Sequence, residues 1–177
     1  CVGRGSAVLL QSALSLAETR LTHLCEIPSV IAQATIPETV EHILLGGEEM
    51  PLAVVEALRS HMQMHNGYGP AETTCCASWR RVQMQSHGPA QRLTSIGRPF
   101  GNVESYVVDE EDKQSAAQLC TLAFRPIGVW GELRLGGVQV ARGYLSRPEK
   151  TAEVFVANPW IYTDVSGRGV TYRTGDR

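Results

Sequence analysis

Between His65 and Thr74 the chain reads HNGYGPAETT. Three turn-forming residues, Gly67, Gly69 and Pro70, surround a lone tyrosine, Tyr68, and a single carboxylate, Glu72, follows among small side chains. A stretch needed only to reverse the chain would be polar and indifferent to order. This one alternates backbone freedom with single groups able to stack, accept a hydrogen bond or hold a cation, a pattern that points to a ligand. Other reactive residue types are less suggestive. His23, His42, His61, His65 and His87 match no metal-ligand or triad spacing and are expected to be structural or solvent-exposed. Cys1, Cys25, Cys75, Cys76 and Cys120 form an odd set without C-x-x-C spacing, so neither a zinc site nor a disulfide framework is supported. A reducing, cytoplasmic setting is expected.

The elements that must position such a loop are readable from periodicity. Short β-type runs alternate with helix-like segments through SAVLL, SALSLAETRL, THLCEI, SVIAQA, EHILL, PLAVVEALRSH and MQMH. Pro51 stands where a first helical turn begins, and Leu52, Val55 and Leu58 follow at three-residue steps. Strands separated by helices should lie parallel. From about Ser95 the texture changes to the β-type runs VESYVVD, GELRLGG, VQVARGYL and VTYRT, set apart by turn-rich stretches such as GRPFGN and SGRG. The expectation is an α/β segment over residues 1–96 and a β-rich segment over residues 97–177. In an open parallel sheet, ligands gather beyond the carboxyl ends of the strands. Two glycine-bearing loops are expected there, GGEEM after EHILL and NGYGPAE after MQMH.

Composition removes several alternatives. The 177 residues are 43% hydrophobic and 19% charged with a formal net charge of -2, as expected of a folded domain and not of a basic nucleic-acid binder. The longest apolar runs fall far short of the roughly 20 residues that cross a bilayer, and no charged leader precedes an apolar core at Cys1, so no membrane association is expected.

NGYGPAETT resembles the N-x-Y-G-P-T-E-x-T signature of AMP-forming adenylating enzymes. GELRLGGVQVARGY is similar to a second signature of that superfamily, G-E-L-x-x-x-G-x-x-V-A-R-G-Y, and YRTGDR to a third, Y-R-T-G-D. Order and separation also fit, and the wording is closest to the amino-acid adenylation domains of nonribosomal peptide synthetases. The resemblance implies part of a flavodoxin-like parallel-sheet subdomain followed by a β-barrel-like subdomain. It also implies an internal fragment, expected to be inactive alone, because the family's phosphate loop would lie upstream and its catalytic lysine downstream.

The implied reaction joins an amino-acid substrate to ATP as an aminoacyl adenylate, with later transfer to the phosphopantetheine thiol of a partner carrier domain beside other synthetase domains. Glu72 would be the catalytic carboxylate and hold Mg2+, since a hard cation bridging phosphate oxygens takes carboxylate ligands. Tyr68 would offer its ring to adenine, beside Gly67, and Asn66 its amide to the adenine edge. Gly47 and Glu48 would line the adenine through backbone atoms. Asp176 would accept hydrogen bonds from both ribose hydroxyls. The substrate pocket would be lined by Cys25, Leu44, Gly46, Gly67, Cys75 and Cys76, with no charge among them, which argues against a charged substrate side chain. Three departures from the family pattern stand out. Ala71 replaces the threonine whose hydroxyl would sit near the α-phosphate in the ATP site, the connector over residues 113–126 is long, and Arg177 replaces a leucine. Acyl- or aryl-CoA ligase chemistry and a catalytically defective scaffold are the alternative readings.

Overall fold

The computed structural model describes residues 20–58, 62–82, 95–109, 124–160 and 169–177. The SAVLL run, most of SALSLAETRL, most of the long connector, and Cys1, Cys120, His61 and His87 lie outside the described residues. The chain divides into two compact units, one of residues 1–67 with 80–96, the other of residues 68–79 with 97–177. One break falls between Ile96 and Gly97, and the short stretch 68–79 is counted with the second unit.

The first unit is built on parallel strands β1 (His23–Glu26), β2 (His42–Gly46) and β3, which starts at Gln63. Two short helices intervene, α1 (Pro28–Ile31) and α2 (Leu52–Ala57). Period-two alternation sends Ile43, Leu45 and Met64 into a core with Ile31, Met50, Val54 and Val55. The buried face of α2 is therefore Val54 and Val55, and Leu52, expected on that face, is exposed. Pro51 directly precedes the first helical residue with extended backbone, where its missing N–H leaves no helical bond unmade.

β3 runs from Gln63 to Tyr68, further than the MQMH run suggested. Asn66, Gly67 and Tyr68 are strand residues, and the loop begins only at Gly69. In the second unit, β4 (Ser78–Arg81) contributes Ser78 and Trp79 to an antiparallel pairing with β5 (Arg98–Pro99). A four-stranded antiparallel sheet follows in the order β6 (Val103–Val108), β7 (Glu132–Gly137), β9 (Val170–Arg173), β8 (Phe155–Ala157). Helix α3 (Pro148–Val154) leads straight into β8. The VQVARGYL run was expected as a strand but forms none: after β7 the chain turns at Val138 and Gln139 and continues irregularly to Tyr144. Its backbone donors go to turns and to another loop, Val140 N–H to the Gly137 carbonyl and Ala141 N–H to that of Glu72, so no ladder forms.

Candidate adenylate-forming site

The loop after β3 is shaped by a close approach. The Tyr68 carbonyl accepts the Ala77 N–H at 2.8 Å, and a Cβ on Gly69 would stand 2.5 Å from the same nitrogen, so only glycine fits. Residues Ala71–Thr73 form one 3-10 turn, which Thr74 ends in the left-handed region. Thr73 is buried, its hydroxyl donating to the Pro70 carbonyl at 3.1 Å, whereas Ala71 is exposed.

Within the same unit, the irregular segment 139–144 clasps this turn. Ala141 N–H donates to the Glu72 carbonyl at 2.7 Å, and the Thr74 hydroxyl donates to the Gln139 carbonyl at 2.8 Å. The Tyr144 hydroxyl donates to Glu72 Oε1 at 2.5 Å. That bond is the main reason the Glu72 carboxyl lies below the usual carboxylate range, so Glu72 is ionised at neutral pH. Tyr144 is raised by the same contact, because ionising the phenol would set two negative charges together.

Tyr144 is itself held in place. Its N–H donates to Thr151 Oγ1 at 2.9 Å, and that hydroxyl in turn donates to the Arg147 carbonyl at 2.9 Å. Gly143 takes φ +137° against the methyl of Thr151, where a Cβ would stand 2.4 Å from Cγ2. The Phe155 ring meets Tyr144 edge-on at 5.5 Å, and Lys150 Nζ lies 5.5 Å from the ring centroid. Sequence reasoning gave Tyr144 no role, although it is the aromatic residue that closes the A-R-G-Y stretch.

A second carboxylate in this unit is held in a similar way. The Tyr68 hydroxyl donates to Asp176 Oδ2. Burial raises the Tyr68 phenol, and the Asp176 carboxylate raises it further. Asp176 is exposed and positioned by backbone pairing, its carbonyl accepting the Leu133 N–H at 2.9 Å and its own N–H donating to Thr174 Oγ1 at 3.0 Å. Upstream of it, Tyr172 interacts with the Glu72 and Tyr144 side chains, and Arg173 joins an ion-pair cluster. Buried Glu132, of the G-E-L stretch, faces the guanidinium Nε atoms of Arg134 and Arg173 at 3.3 Å each, which ties the start of β7 to the end of β9. A carboxylate buried at this depth is tolerated because it is paired.

In the first unit, strand register does the positioning. Cys25 stands opposite Leu44, Leu44 opposite His65, and Gly46 opposite Gly67, all on the sheet face away from the Ile43 and Leu45 core. A Cβ on Gly46 would come within 2.4 Å of the Gly67 carbonyl. Lower on that face the His23 and His42 rings stack at 4.5 Å, and those of His42 and His65 lie 6.4 Å apart. Gly47, with φ +83°, and Glu48 follow β2 in an exposed turn. The Glu48 carboxylate accepts the backbone N–H and hydroxyl of Ser29 at 3.0 and 2.9 Å, which leaves backbone groups as what this turn can offer a ligand. Asn66 is buried, and its amide donates to the Ser95 carbonyl at 3.1 Å. Cys75 and Cys76 belong to the second unit, Cys75 exposed and Cys76 half-buried with its carbonyl facing Gln139 Nε2 at 3.4 Å.

A sequence model of the family described as "AMP-binding enzyme" matches residues 9–145. The chain belongs to that family. It is 36% identical over 170 residues to tyrocidine synthase 3 of Brevibacillus parabrevis, an alignment covering 91% of this chain and 2% of the relative. It is 33% identical over 171 residues to gramicidin S synthase 2 of Aneurinibacillus migulanus, covering 91% of the chain and 3% of the relative. Malpinin synthetase of Mortierella alpina is 36% identical over 164 residues, covering 89% of the chain and 2% of the relative. The chain therefore spans only a small part of these relatives. Its fold is similar to the N-terminal subdomain of Klebsiella oxytoca NpsA, with a TM-score of 0.66 and 24% identity over 93% of this chain and 40% of that one. It is also similar to a long-chain-fatty-acid-CoA ligase, FadD1, from Archaeoglobus fulgidus, with a TM-score of 0.63 and 18% identity over 92% and 32%. The fold is thus the α/β architecture of adenylate-forming enzymes. Among the described residues no helix is long and apolar enough to cross a membrane, and no three His, Cys, Asp or Glu side chains gather as a metal site.

Proposed function

We propose that the chain is a segment of an amino-acid adenylation domain of a nonribosomal peptide synthetase. In this reading the AMP-forming ligase activates an amino acid with ATP and passes the aminoacyl group to the phosphopantetheine thiol of a carrier domain. The observation that carries the reading is the pair of phenol-held carboxylates, Glu72 with Tyr144 and Asp176 with Tyr68, at motif positions within one compact unit. The likeness to three peptide synthetases supports the amino-acid branch of the family.

In the reaction a substrate carboxylate oxygen bonds to the α-phosphorus, and the bond from that phosphorus to the pyrophosphate oxygen breaks. Such chemistry depends on positioning and on neutralising phosphate charge. Magnesium would supply the neutralisation when bound, and a single ionised carboxylate such as Glu72 fits it, since this cation takes one or two protein carboxylates. Ionised Glu72 is that carboxylate, with Oε1 engaged by Tyr144 and further lone pairs able to face a cation. Tyr68, whose hydroxyl engages Asp176, is assigned to adenine through its ring, and Asn66, Gly67 and Ala71 are the other motif residues assigned to ATP. Asp176 accepts the ribose hydroxyls. Gly47 and Glu48 border the base through their backbone.

The substrate has an uncharged side chain, since Cys25, Leu44, Gly46, Gly67, Cys75 and Cys76 offer no partner for a charge. Residues 1–96 supply the α/β part and residues 97–177 the β-rich part of the adenylation core. The setting is cytoplasmic, and the partners are a carrier domain and neighbouring synthetase domains. The test is ATP–pyrophosphate exchange by the complete domain with panels of amino acids, fatty acids and aryl acids. Exchange driven by uncharged amino acids is expected. Exchange driven only by fatty or aryl acids would overturn the reading in favour of a CoA ligase, and none with any acid would favour a defective scaffold.

A further inference from the structure

We infer that Tyr144 is a positioning residue for the metal carboxylate: its hydroxyl fixes Glu72 in the orientation that takes up the cation of a bound metal–nucleotide complex. The inference rests on the adenylation reading and extends it to a residue outside the ATP and pocket sets. The geometry is that of a built clamp. Glu72 is gripped twice by one short segment, at its backbone by Ala141 N–H and at its carboxylate by Tyr144 Oη. The phenol is fixed from three sides, through Thr151 at its backbone, Phe155 at its edge and Lys150 over its ring. Two of those restraints come from α3, whose start is anchored by the hydroxyl of Thr151 on the Arg147 carbonyl.

A carboxylate has two freely rotating torsions before its terminal group, and a divalent cation among phosphates tolerates little misplacement. A donor that engages one oxygen restricts that freedom; the Tyr172 side chain is a further partner of the same carboxyl, and the carboxylate keeps lone pairs for a cation. Partners of this kind, behind a metal ligand, typically contribute 10–100-fold in metal affinity. The A-R-G-Y stretch thereby acquires a chemical reason for its spacing. Ala141 and Tyr144 are three residues apart, and Gly143 permits the backbone to bend tightly over Thr151 between them.

The test uses the complete domain with Mn2+ as the spectroscopic probe and a non-hydrolysable ATP analogue, the bound ion being counted by electron paramagnetic resonance. Tyr144→Phe keeps the ring contacts and removes the hydroxyl, and with it the bond to Glu72 and the contact with the Tyr172 side chain. It is expected to weaken Mn2+ uptake by the nucleotide complex about tenfold, while affinity for the metal-free nucleotide is unchanged. In a Glu72→Gln background the same substitution should change nothing further, because the group it orients has gone. Equal Mn2+ uptake by wild type and Tyr144→Phe would overturn the inference. So would a further loss in the Glu72→Gln background, which would make Tyr144 a general support of the fold. A wild-type domain that takes up Mn2+ with nucleotide but exchanges pyrophosphate only with fatty acids would overturn the amino-acid reading and leave the Tyr144 comparison standing.

Discussion

The two units hold their chemistry by different means. In the first, Cys25, Leu44, Gly46 and Gly67 are placed by parallel strand register, and their positions follow from backbone pairing without help from side chains. In the second, the Glu72 and Asp176 carboxylates each meet a phenol hydroxyl brought from a distant part of the chain, with the Asp176 backbone also paired to Leu133. Register is shared among many hydrogen bonds and tolerates the loss of any side-chain atom, but it tolerates no added atom where strands touch. A single O–H donor has the opposite profile: bulk near it is tolerable, and loss of one oxygen is not. A wall of the pocket should accordingly fail by overfilling and the charged site by deletion.

The hardest blow to the charged site is Glu72→Ala in the complete domain. We expect turnover to fall about 10³-fold with the apparent affinity for ATP changed only a few-fold, since in the proposed reading this carboxylate acts on charge that shifts during the reaction. Asp176→Ala should show the reverse partition, with KM for ATP raised about tenfold, because the proposed ribose contact would exist already in the ground state. Steady-state kinetics that exchanged the two partitions would break the assignment of both carboxylates.

Ala71→Thr probes the charged site from the other side, by adding a donor. A missing preorganised donor can cost on the order of 10²-fold when nothing replaces it. Neither neighbouring hydroxyl is placed to substitute, as Thr73 donates to the Pro70 carbonyl and Thr74 to that of Gln139. Single-turnover adenylate formation should therefore accelerate by up to that factor, with the KM for the amino acid unaltered. A slower variant would mean that the turn is packed around alanine.

In the first unit the corresponding stroke is Gly46→Ala. One methyl would stand 2.4 Å from the Gly67 carbonyl, and overpacking of that kind costs roughly 1–3 kcal/mol, readable as a shift in denaturation midpoint. Full stability in the variant would mean that β2 and β3 can part without penalty. The smallest effect concerns acid. His65 is depressed below the ordinary imidazole value, first by burial and then by His42 and Arg81, with His23 stacked beyond His42. The folded form then binds fewer protons than the unfolded one. Stability is full above about pH 6.5 and declines as pH falls below it. His65→Gln should flatten part of that decline between pH 7 and pH 5 in denaturation midpoints, and an unchanged slope would acquit this residue.

How much of this was legible beforehand depended on range. Strands β1, β2 and β3 and the helices between them show in the local pattern because hydrophobic periodicity is a short-range signal. Tyr68, Glu72 and Asp176 stand out in the sequence as motif positions. The reach of β3 through Asn66 to Tyr68 does not, because glycine and asparagine argue for a turn wherever tertiary pairing does not overrule them. VQVARGYL misled in the opposite direction. Its alternating apolar residues mimic a strand, yet its donors at Val140 and Ala141 are taken by a turn and by the Glu72 carbonyl. Tyr144 was missed for the same physical reason. It reaches its partner across 72 positions of sequence, a separation over which no local pattern speaks.

The alternation along β2 bears on how such an enzyme changes over generations. Ile43 and Leu45 lie in the interior, while Leu44 between them faces the other way, opposite Cys25 on one side and His65 on the other. On the proposed assignment of Cys25 and Leu44 to the substrate pocket, a substitution at either position alters the lining without touching the packed interior, and leaves the Glu72 clamp, built from other stretches of chain, as it was. Selection for a new substrate can explore those positions at small risk to folding. Gly46, pinned by the neighbouring carbonyl, marks where that freedom ends.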